Sequence, residues 1–241
     1  MGKIIVSENV SLDGVVQDPT GEEGFRLGGW WVRVGDKDRE QAARVVLDEA
    51  LGTEAMLLGR RSYEFLAARW PSRTGALADR LNGKPKYVVS STLEDPGWTN
   101  TTVLKGDAVN EVTALKQQLA GDIAVAASFQ LVHTLLEHDL VDELRLMIYP
   151  VVLGAGERLF GETRDRKPLR LVSTRTIGDN LAYLTYQPDV FPPRALPGTG
   201  GSLRLSIAEM GRELREGVMS KPRPLRRDTG GRSGWLGGCE G

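Results

Sequence analysis

The chain has 241 residues, of which 40% are hydrophobic and 26% are charged, and its formal net charge is −1. This length suits one large domain or one ordinary domain with an appendage, and the composition excludes global disorder, collagen and a membrane-embedded protein. Because no apolar run approaches the roughly 20 residues of a membrane span and no secretory signal pattern is present, we expect a cytoplasmic protein without a membrane partner.

Hydrophobic patterning predicts that strands and helices alternate along the first 150 residues. The predicted strands are residues 3–7, 55–58, 86–90, 101–104, 123–126 and 144–149. The predicted helices are residues 38–52, 63–68, 109–119 and 129–137. Two β-rich segments follow, residues 169–176 and 181–186, joined by the turn residues Gly178, Asp179 and Asn180. We therefore predict an α/β fold with a mixed, mostly parallel central sheet, flanking helices and a C-terminal antiparallel hairpin.

The last 52 residues differ from the rest in charge and composition. Residues 190–241 hold nine Lys and Arg, five Asp and Glu, 11 of the 29 glycines and five of the 12 prolines. We predict that residues 1–189 form the folded domain and that residues 190–241 form a largely disordered tail with one short helix at 202–216. The tail has a net charge of only +4, and we do not expect a nucleic-acid partner.

The first candidate site lies where the second predicted strand ends, at Leu58-Gly59-Arg60-Arg61-Ser62. The backbone N–H groups at a helix N-terminus favour an anion, and neighbouring guanidinium groups can bind phosphate in a bidentate manner. The segment therefore suits a nucleotide. The alternative is that Gly59 only permits the turn and that both arginines are solvated.

Two further strand ends carry small and hydroxyl residues. Ser90-Ser91-Thr92 follows the third predicted strand, and Ala126-Ala127-Ser128-Phe129-Gln130 joins the fifth strand to a helix. Ligands of open α/β sheets bind at the carboxyl ends of the strands, which favours a binding role. The alternatives are ordinary loop chemistry for the first segment and a simple N-cap for Ser128.

Two turns and several aromatic residues are the remaining candidates. Asp13 follows the first strand and could orient a substrate N–H group or transfer a proton, although Asp13-Gly14 is also common turn chemistry. Gly154 and Gly156 suit a tight loop beside a pocket. The tryptophans could line a pocket for a planar ring, although aromatic residues are more often core; they are Trp30, Trp31 and Trp70.

Metal and disulfide chemistry are not expected. Cys239 is the one cysteine of the chain, so neither an intramolecular disulfide nor a cysteine metal cluster can form. His133 and His138 lack the carboxylate and histidine partners of a zinc site. We therefore expect no metal.

Four segments in this order resemble a known family: Ser11-Leu12-Asp13-Gly14, the run from Leu58 to Glu64, the run from Val88 to Thr92, and the run from Leu140 to Phe160. Over about residues 3–187 the chain is similar to the dihydrofolate-reductase-like family. Within it, the chain resembles the C-terminal reductase domain of the bifunctional riboflavin-biosynthesis deaminase-reductase.

The resemblance implies an oxidoreductase that forms a homodimer and transfers a hydride from NADPH to a planar nitrogen heterocycle. That acceptor would be a pterin, a dihydrofolate or a ribosylamino-pyrimidine. The residues matched to cofactor binding are Gly14, Gly59, Arg60, Arg61, Ser62, Ser90, Ser91, Thr92, Lys105, Ala127, Ser128, Phe129 and Gln130. Asp13 is the candidate catalytic residue, and the candidate substrate residues are Phe25, Trp30, Asp36, Trp70 and Gly154.

One departure from the family pattern concerns the loop at residues 126–128. Ala126-Ala127-Ser128 stands where the family usually has glycine, and alanine in a glycine-only conformation costs about 1–3 kcal/mol. The alternative function is therefore a non-catalytic, dimeric nucleotide-binding or interaction protein that keeps the reductase fold.

Overall fold

The structure is a computed structural model that describes residues 1–189. Its strands are β1 (Ile4–Ser11), β2 (Ala55–Gly59), β3 (Lys86–Val89), β4 (Thr101–Leu104), β5 (Ile123–Val125), β6 (Glu143–Tyr149), β7 (Leu169–Ile177) and β8 (Leu181–Pro188). Its α-helices are α1 (Asp36–Gly52), α2 (Arg60–Ala67), α3 (Ala76–Gly83), α4 (Ala108–Gln118) and α5 (Phe129–Glu137), and a 3-10 helix spans Trp31–Arg33. The predicted tail and its helix at 202–216 lie outside the described residues.

All eight described strands form one sheet in the order β4, β3, β2, β5, β1, β6, β8, β7. The pairs from β4 to β6 are parallel, whereas β8 pairs antiparallel with both β6 and β7. This arrangement confirms the predicted α/β fold and its C-terminal hairpin. Parallel strands end at a common edge, so the segments that follow β2, β3 and β5 are brought together there.

Helices cover the sheet because its central strands are apolar on both faces. Ile4, Val6 and Val10 of β1 pack with the inward face of α5, whereas Ala42 and Val45 of α1 pack in a second cluster with Trp30 and Tyr149. A third cluster joins α2 to β2 and β3 around Leu58, Tyr63 and Trp98. The helical spacing of Leu131, Val132 and Leu135 explains why α5 has the predicted limits, since these three side chains are buried.

The structure departs from the predicted elements at two places that bear on the candidate site. Helix α2 begins at Arg60, directly after β2, rather than at residue 63, so both arginines belong to its first turn. Helix α3 was not predicted, and Ala78 is its one fully buried residue. Helix α3 ends three residues before β3 begins and so leads directly into that strand.

Two buried lysines hold the start of β3. The Nζ of Lys86 donates to the carbonyl oxygens of Asn82 at 3.0 Å, Lys84 at 2.8 Å and Thr99 at 3.0 Å, and it lies over the Trp98 ring. The Nζ of Lys84 donates to the Ala50 carbonyl oxygen at 2.6 Å and to Thr53 Oγ1 at 2.7 Å. Burial lowers the pKa of both lysines to about 8, but this value is still above neutral pH, so the ammonium forms predominate there.

We predict that Lys86→Met lowers the free energy of unfolding by about 2–3 kcal/mol, because three carbonyl oxygens lose their donor in a site closed to water. Urea unfolding of wild type and variant measures the change. Lys3→Met, at an exposed position, is the control and should change stability by less than about 0.5 kcal/mol. Equal unfolding midpoints for Lys86→Met and wild type would contradict the prediction.

Candidate functional site

A cleft of about 970 Å³ opens at the carboxyl ends of the parallel strands. It is lined by residues from the ends of β2, β3 and β5, by helices α1, α2 and α5, and by the loop after β1. The predicted cofactor and substrate residues that line it are Gly59, Arg60, Arg61, Ser62, Trp70, Ser90, Ser91, Thr92, Ala127, Ser128, Phe129 and Gln130. The structure thus brings together segments separated by up to about 70 residues in the chain.

The Ser128 hydroxyl joins the two turns at the centre of this edge. Its Oγ accepts the backbone N–H of Gly59 at 3.1 Å and donates to the carbonyl oxygen of Ala126 at 3.1 Å. Ser62 Oγ donates to the carbonyl oxygen of Ala127 and provides a second link between the turns. Ser128 does occupy the N-cap position of α5, but its side chain makes no cap hydrogen bond there. The N–H groups that begin α5 are therefore not capped by a side chain.

The backbone at Ala127 adopts a left-handed conformation with φ of +56°. Glycine adopts this region without cost, whereas an alanine pays roughly 1–2 kcal/mol for the contact between its Cβ and the backbone. The loop therefore keeps the conformation that a glycine would allow, and it does so under strain.

Two arginines begin helix α2 and face the cleft. The Arg60 guanidinium lies 3.2 Å from the Glu64 carboxylate, and the Arg61 guanidinium lies 3.9 Å from that of Glu23. Both arginine side chains are at least half-exposed, so neither ion pair contributes more than about 1 kcal/mol. Both cations can therefore exchange these partners for an anionic ligand.

The segment after β3 forms a tight turn. Ser90 Oγ accepts the N–H groups of Thr92 at 3.2 Å and Leu93 at 3.0 Å, while the Ser91 and Thr92 side chains stay near the cleft. Lys105 follows β4 and is exposed, but it does not line the cleft; the next residue, Gly106, does.

The loop after β1 forms one wall of the cleft. The Asp18 carboxylate accepts the N–H groups of Glu23 at 3.1 Å and Phe25 at 3.0 Å, which folds the loop back on itself. The Arg69 guanidinium of the segment after α2 contacts the Glu22 carboxylate at 2.6 Å. This ion pair ties the loop to the opposite side of the cleft.

Asp13, Gly14 and Gly154 belong to a different contact and do not line the cleft. The Asp13 carboxylate accepts the Ser11 hydroxyl at 2.7 Å and the N–H groups of Leu153 at 3.1 Å and Gly154 at 2.8 Å. The Ser11 hydrogen bond is the largest cause that lowers the pKa of Asp13 to about 2. In this arrangement Asp13 is ionised at neutral pH and fixes the loop after β6, and its predicted catalytic role stays a prediction.

Three predicted substrate residues also lie away from the cleft. Trp30 is 3% exposed and packs edge-on against Tyr149 with ring centroids 5.3 Å apart, so it belongs to the core. Asp36 is exposed at the start of α1 and pairs with Arg39, and Phe25 is half-buried beside Gly156. The aromatic residues that line the cleft are Trp31, Phe65, Trp70 and Phe129, of which only Trp70 was among the predicted substrate residues.

Glu8 is a cleft residue that the sequence reasoning missed. It lies in β1 with 8% of its surface exposed, and its Oε1 has no hydrogen-bond partner among the described residues. Burial raises the pKa of Glu8 to about 8, although the backbone N–H groups of Ser128 and Ala127 act in the opposite direction. The signal in the sequence was a carboxylate in phase with the buried positions Val6 and Val10.

Residues 1–189 contain neither a cluster of metal-binding side chains nor a helix that could span a membrane. No group of three or more His, Cys, Asp or Glu side chains is placed to hold a metal ion in this part of the chain. The described helices are also too short or too polar to cross a membrane.

A mostly parallel sheet with a cleft at its carboxyl edge places this protein in the class of α/β proteins. The profile described as the RibD C-terminal domain matches residues 2–183, and the chain therefore belongs to that family. This match confirms the resemblance to the reductase domain of riboflavin biosynthesis.

Two curated relatives come from Bacillus subtilis (strain 168). The protein YyaP is 28% identical over 189 residues, which cover 76% of this chain and 94% of YyaP. The protein YwjB is 28% identical over 125 residues, which cover 52% of this chain and 68% of YwjB. Both are named as uncharacterized proteins, so these relatives add no activity to the family assignment.

Solved structures share the fold at low identity. A structure named for riboflavin biosynthesis from Shewanella sp. PV-4 has a TM-score of 0.62, 22% identity, and coverage of 78% of this chain and 99% of its own. A pyrimidine reductase-like protein from Corynebacterium diphtheriae has a TM-score of 0.50, 13% identity, and coverage of 78% and 92%. The diaminohydroxyphosphoribosylaminopyrimidine deaminase/5-amino-6-(5-phosphoribosylamino)uracil reductase from Thermotoga maritima has a TM-score of 0.52, 14% identity, and coverage of 78% and 57%. These structural similarities support the α/β fold described above.

We predict that Ala127→Gly stabilises the protein by up to about 1 kcal/mol, because glycine removes the cost of the left-handed backbone. Ala126→Gly is the matched control: its φ is not positive, and glycine there should destabilise by about 0.5–1 kcal/mol. Urea unfolding of both variants tests the difference. The same sign of change in both variants would show that Ala127 is not strained.

We predict that Asp13 contributes stability that depends on pH. The pKa of this carboxyl is lowered from 3.8 to about 2 in the folded chain, so its contribution is present above about pH 4 and is lost as the pH falls through 2. Asp13→Asn should therefore be less stable than wild type at pH 7, and the gap should close toward pH 2. Urea midpoints at pH 7, 4 and 2 measure it, and a gap that is constant with pH would refute the assignment.

Proposed function

We propose that this protein is an NADPH-dependent reductase whose acceptor is a planar nitrogen heterocycle. The observation that carries the proposal is the cleft in which two helix N-termini and two arginines meet at the carboxyl edge of the sheet. Membership of the RibD C-terminal domain family supports a reductase activity over other uses of such a cleft.

The residues present fit a nicotinamide dinucleotide phosphate. Neither α2 nor α5 has a side-chain cap, so the N–H groups of their first turns are available to phosphate oxygens. Arg60, Arg61 and Ser62 would hold phosphate, and Ser90, Ser91 and Thr92 would bind near the adenosine ribose. The cleft volume of about 970 Å³ lies at the upper end of the range for small-molecule sites.

The acceptor would bind against aromatic side chains of the same cleft. Trp31, Phe65 and Trp70 line it, and flat rings stack on such side chains. Helix α1 adds the apolar residues Ala43 and Val46 to the lining of this part of the cleft. NADPH would supply the hydride when bound, and the chain's own residues would orient the acceptor and exclude water.

Polar side chains beneath α1 give the acceptor region its specificity in this proposal. Glu49 Oε2 accepts the Ser7 hydroxyl at 2.8 Å, and the Arg145 guanidinium lies 3.6 Å from the Glu49 carboxylate. All three residues line the cleft. Such fixed donors and acceptors suit the N–H and C=O edges of a pterin or pyrimidine ring better than an aliphatic substrate. The expected homodimer and cytoplasmic location remain predictions beside this proposal.

The non-catalytic alternative was based on alanine at residues 126 and 127, where the family usually has glycine. The conformation of Ala127 weakens that argument. A chain that had given up the cofactor would not need the left-handed backbone at residue 127, yet this loop retains it with φ of +56°. The substitution from glycine therefore costs stability without changing the loop.

We predict that the protein binds NADPH more tightly than NADH, and that Arg60→Ala weakens NADPH binding about 10- to 100-fold while changing NADH binding less than about threefold. The reason is the loss of a charge-assisted contact to the additional phosphate, worth about 1.5–3 kcal/mol. Nicotinamide fluorescence titration at fixed salt measures both affinities. Arg44→Ala is the control, since Arg44 is exposed on α1, outside the cleft.

A protein that binds neither dinucleotide at hundreds of micromolar, or both equally, would refute the cofactor assignment. Oxidation of NADPH with a panel of pterin, dihydrofolate and ribosylamino-pyrimidine acceptors then identifies the acceptor class.

A further inference from the structure

Two adjacent glutamates of the loop after β1 contact basic side chains on the other side of the cleft. The Glu22 carboxylate lies 2.6 Å from Arg69 Nε, and the Glu23 carboxylate lies 3.9 Å from the Arg61 guanidinium. All four residues line the cleft. Arg61 is also one of the two cations that begin α2, where the phosphate of the proposed cofactor would bind. A carboxylate of this chain therefore already pairs with a cation that the proposed function gives to a ligand anion.

The backbone of Glu23 is held by the buried residue Asp18. Asp18 is 2% exposed, and its carboxylate accepts the backbone N–H groups of Glu23 at 3.1 Å and Phe25 at 3.0 Å. The carbonyl oxygen of Asp18 accepts the N–H groups of Gly21 at 3.2 Å and Gly29 at 3.0 Å. These hydrogen bonds fix the loop without the ion pair to Arg61. The Glu23 side chain can therefore leave Arg61 while its backbone stays in place.

The two ion pairs differ in how firmly they are made. The Arg69 guanidinium lies over the Phe65 ring, 3.6 Å from its centroid, and donates to the Phe65 carbonyl oxygen at 2.9 Å. The Arg69 side chain is 29% exposed, whereas that of Arg61 is 65% exposed. The pair of Glu22 and Arg69 therefore keeps the loop beside the cleft, and the looser pair of Glu23 and Arg61 is the one that a ligand can separate.

Arg60, the other cation at the start of α2, is paired in a different way. Its guanidinium lies 3.2 Å from the carboxylate of Glu64, which is one turn further along the same helix. An anion that binds Arg60 therefore competes with a neighbour on α2. An anion that binds Arg61 competes with a carboxylate that the loop after β1 brings to the cleft.

We propose that Glu23 is an intramolecular competitor for the anion site at Arg61, an inference that rests on the proposed cofactor site. A ligand phosphate binds the Arg61 guanidinium only by displacing the Glu23 carboxylate. Because this carboxylate belongs to the same chain, its local concentration at Arg61 is fixed, and it weakens every ligand that needs this cation. An exposed ion pair changes such an equilibrium by at most about fivefold. A dinucleotide tolerates that loss because it makes further contacts in the cleft.

The first test is a double-mutant cycle on NADPH affinity, with wild type, Glu23→Gln, Arg61→Ala and the double variant. Nicotinamide fluorescence titration at fixed low salt, where ion pairs are least screened, measures all four affinities. We expect Glu23→Gln to bind NADPH about 3- to 5-fold more tightly than wild type, because Arg61 is then free for phosphate. In the Arg61→Ala background the same substitution should change the affinity less than about 1.5-fold, because no cation is left to compete for.

Two results of the cycle would overturn the proposal. One is an unchanged NADPH affinity in Glu23→Gln. The other is an equal gain in both backgrounds, since Glu23 would then act only through its charge. Glu157→Gln is the matched control, because it removes another exposed carboxyl that lines the same cleft. It should stay within about 1.5-fold of wild type, and a gain equal to that of Glu23→Gln would also contradict a specific competition at Arg61.

Inorganic pyrophosphate separates this proposal from the cofactor assignment, because it supplies the anion without the nicotinamide. Isothermal titration calorimetry of pyrophosphate with the four proteins of the cycle should show tighter binding in Glu23→Gln only where Arg61 is present. If NADPH does not bind but pyrophosphate gives this pattern, the cofactor assignment is wrong and the competitor stands. If NADPH binds and Glu23→Gln changes neither affinity, the cofactor assignment stands and the competitor is wrong. Binding of neither anion to any of the four proteins would overturn both proposals.

Discussion

The hydrogen bonds of the Ser128 hydroxyl hold the functional edge of the sheet together. Strands β2 and β5 are parallel neighbours, so they end side by side, and the backbone groups beyond their last paired residues need new partners. The Ser128 hydroxyl accepts a hydrogen bond from the Gly59 N–H and donates one to the Ala126 carbonyl oxygen. Because the hydroxyl is used in this way, it does not cap α5, and the helix N-terminus stays open toward the cleft. One side chain thus closes the sheet edge and leaves a site for an anion.

Two features that cost folding free energy meet at the same short loop, the one that joins β5 to α5. Ala127 holds a left-handed backbone, and Glu8 places a carboxyl beneath the amides of residues 127 and 128. A core that served stability alone would replace the first with glycine and the second with an apolar residue. Local costs persist where function requires them, and their coincidence at one loop makes that loop a candidate for the functional part of the cleft. By contrast, the Asp13 carboxylate is hydrogen-bonded by Ser11 of its own turn and by Leu153 and Gly154 of the loop after β6, which is how a residue that stabilises a loop is placed.

Periodicity in the sequence predicted most of the fold but only part of the site. Helix α5 has the predicted limits because its apolar spacing agrees with its burial, whereas α3, which was not predicted, buries only Ala78. The cleft residues that follow strands were predicted because the end of an apolar strand and a neighbouring glycine can both be recognised in a sequence. Trp30 and Trp31 could not be told apart, since a 3-10 helix turns one into the core and the other toward the cleft. Two of the partners of Asp13, the N–H groups of Leu153 and Gly154, lie 140 and 141 residues away in the chain, and no local pattern in the sequence indicates them.

The charge balance of the chain bears on how the proposed phosphorylated ligand would bind beside a buried acid. Residues 1–189 carry 27 acidic and 22 basic residues, so such a ligand would gain nothing from the overall field and would depend on Arg60 and Arg61. An ionised Glu8 beside the amides of α5 would repel the same phosphates and occupy the donors that they need. A protonated Glu8 removes both conflicts, so this buried carboxyl is compatible with an anionic ligand beside the amides of α5.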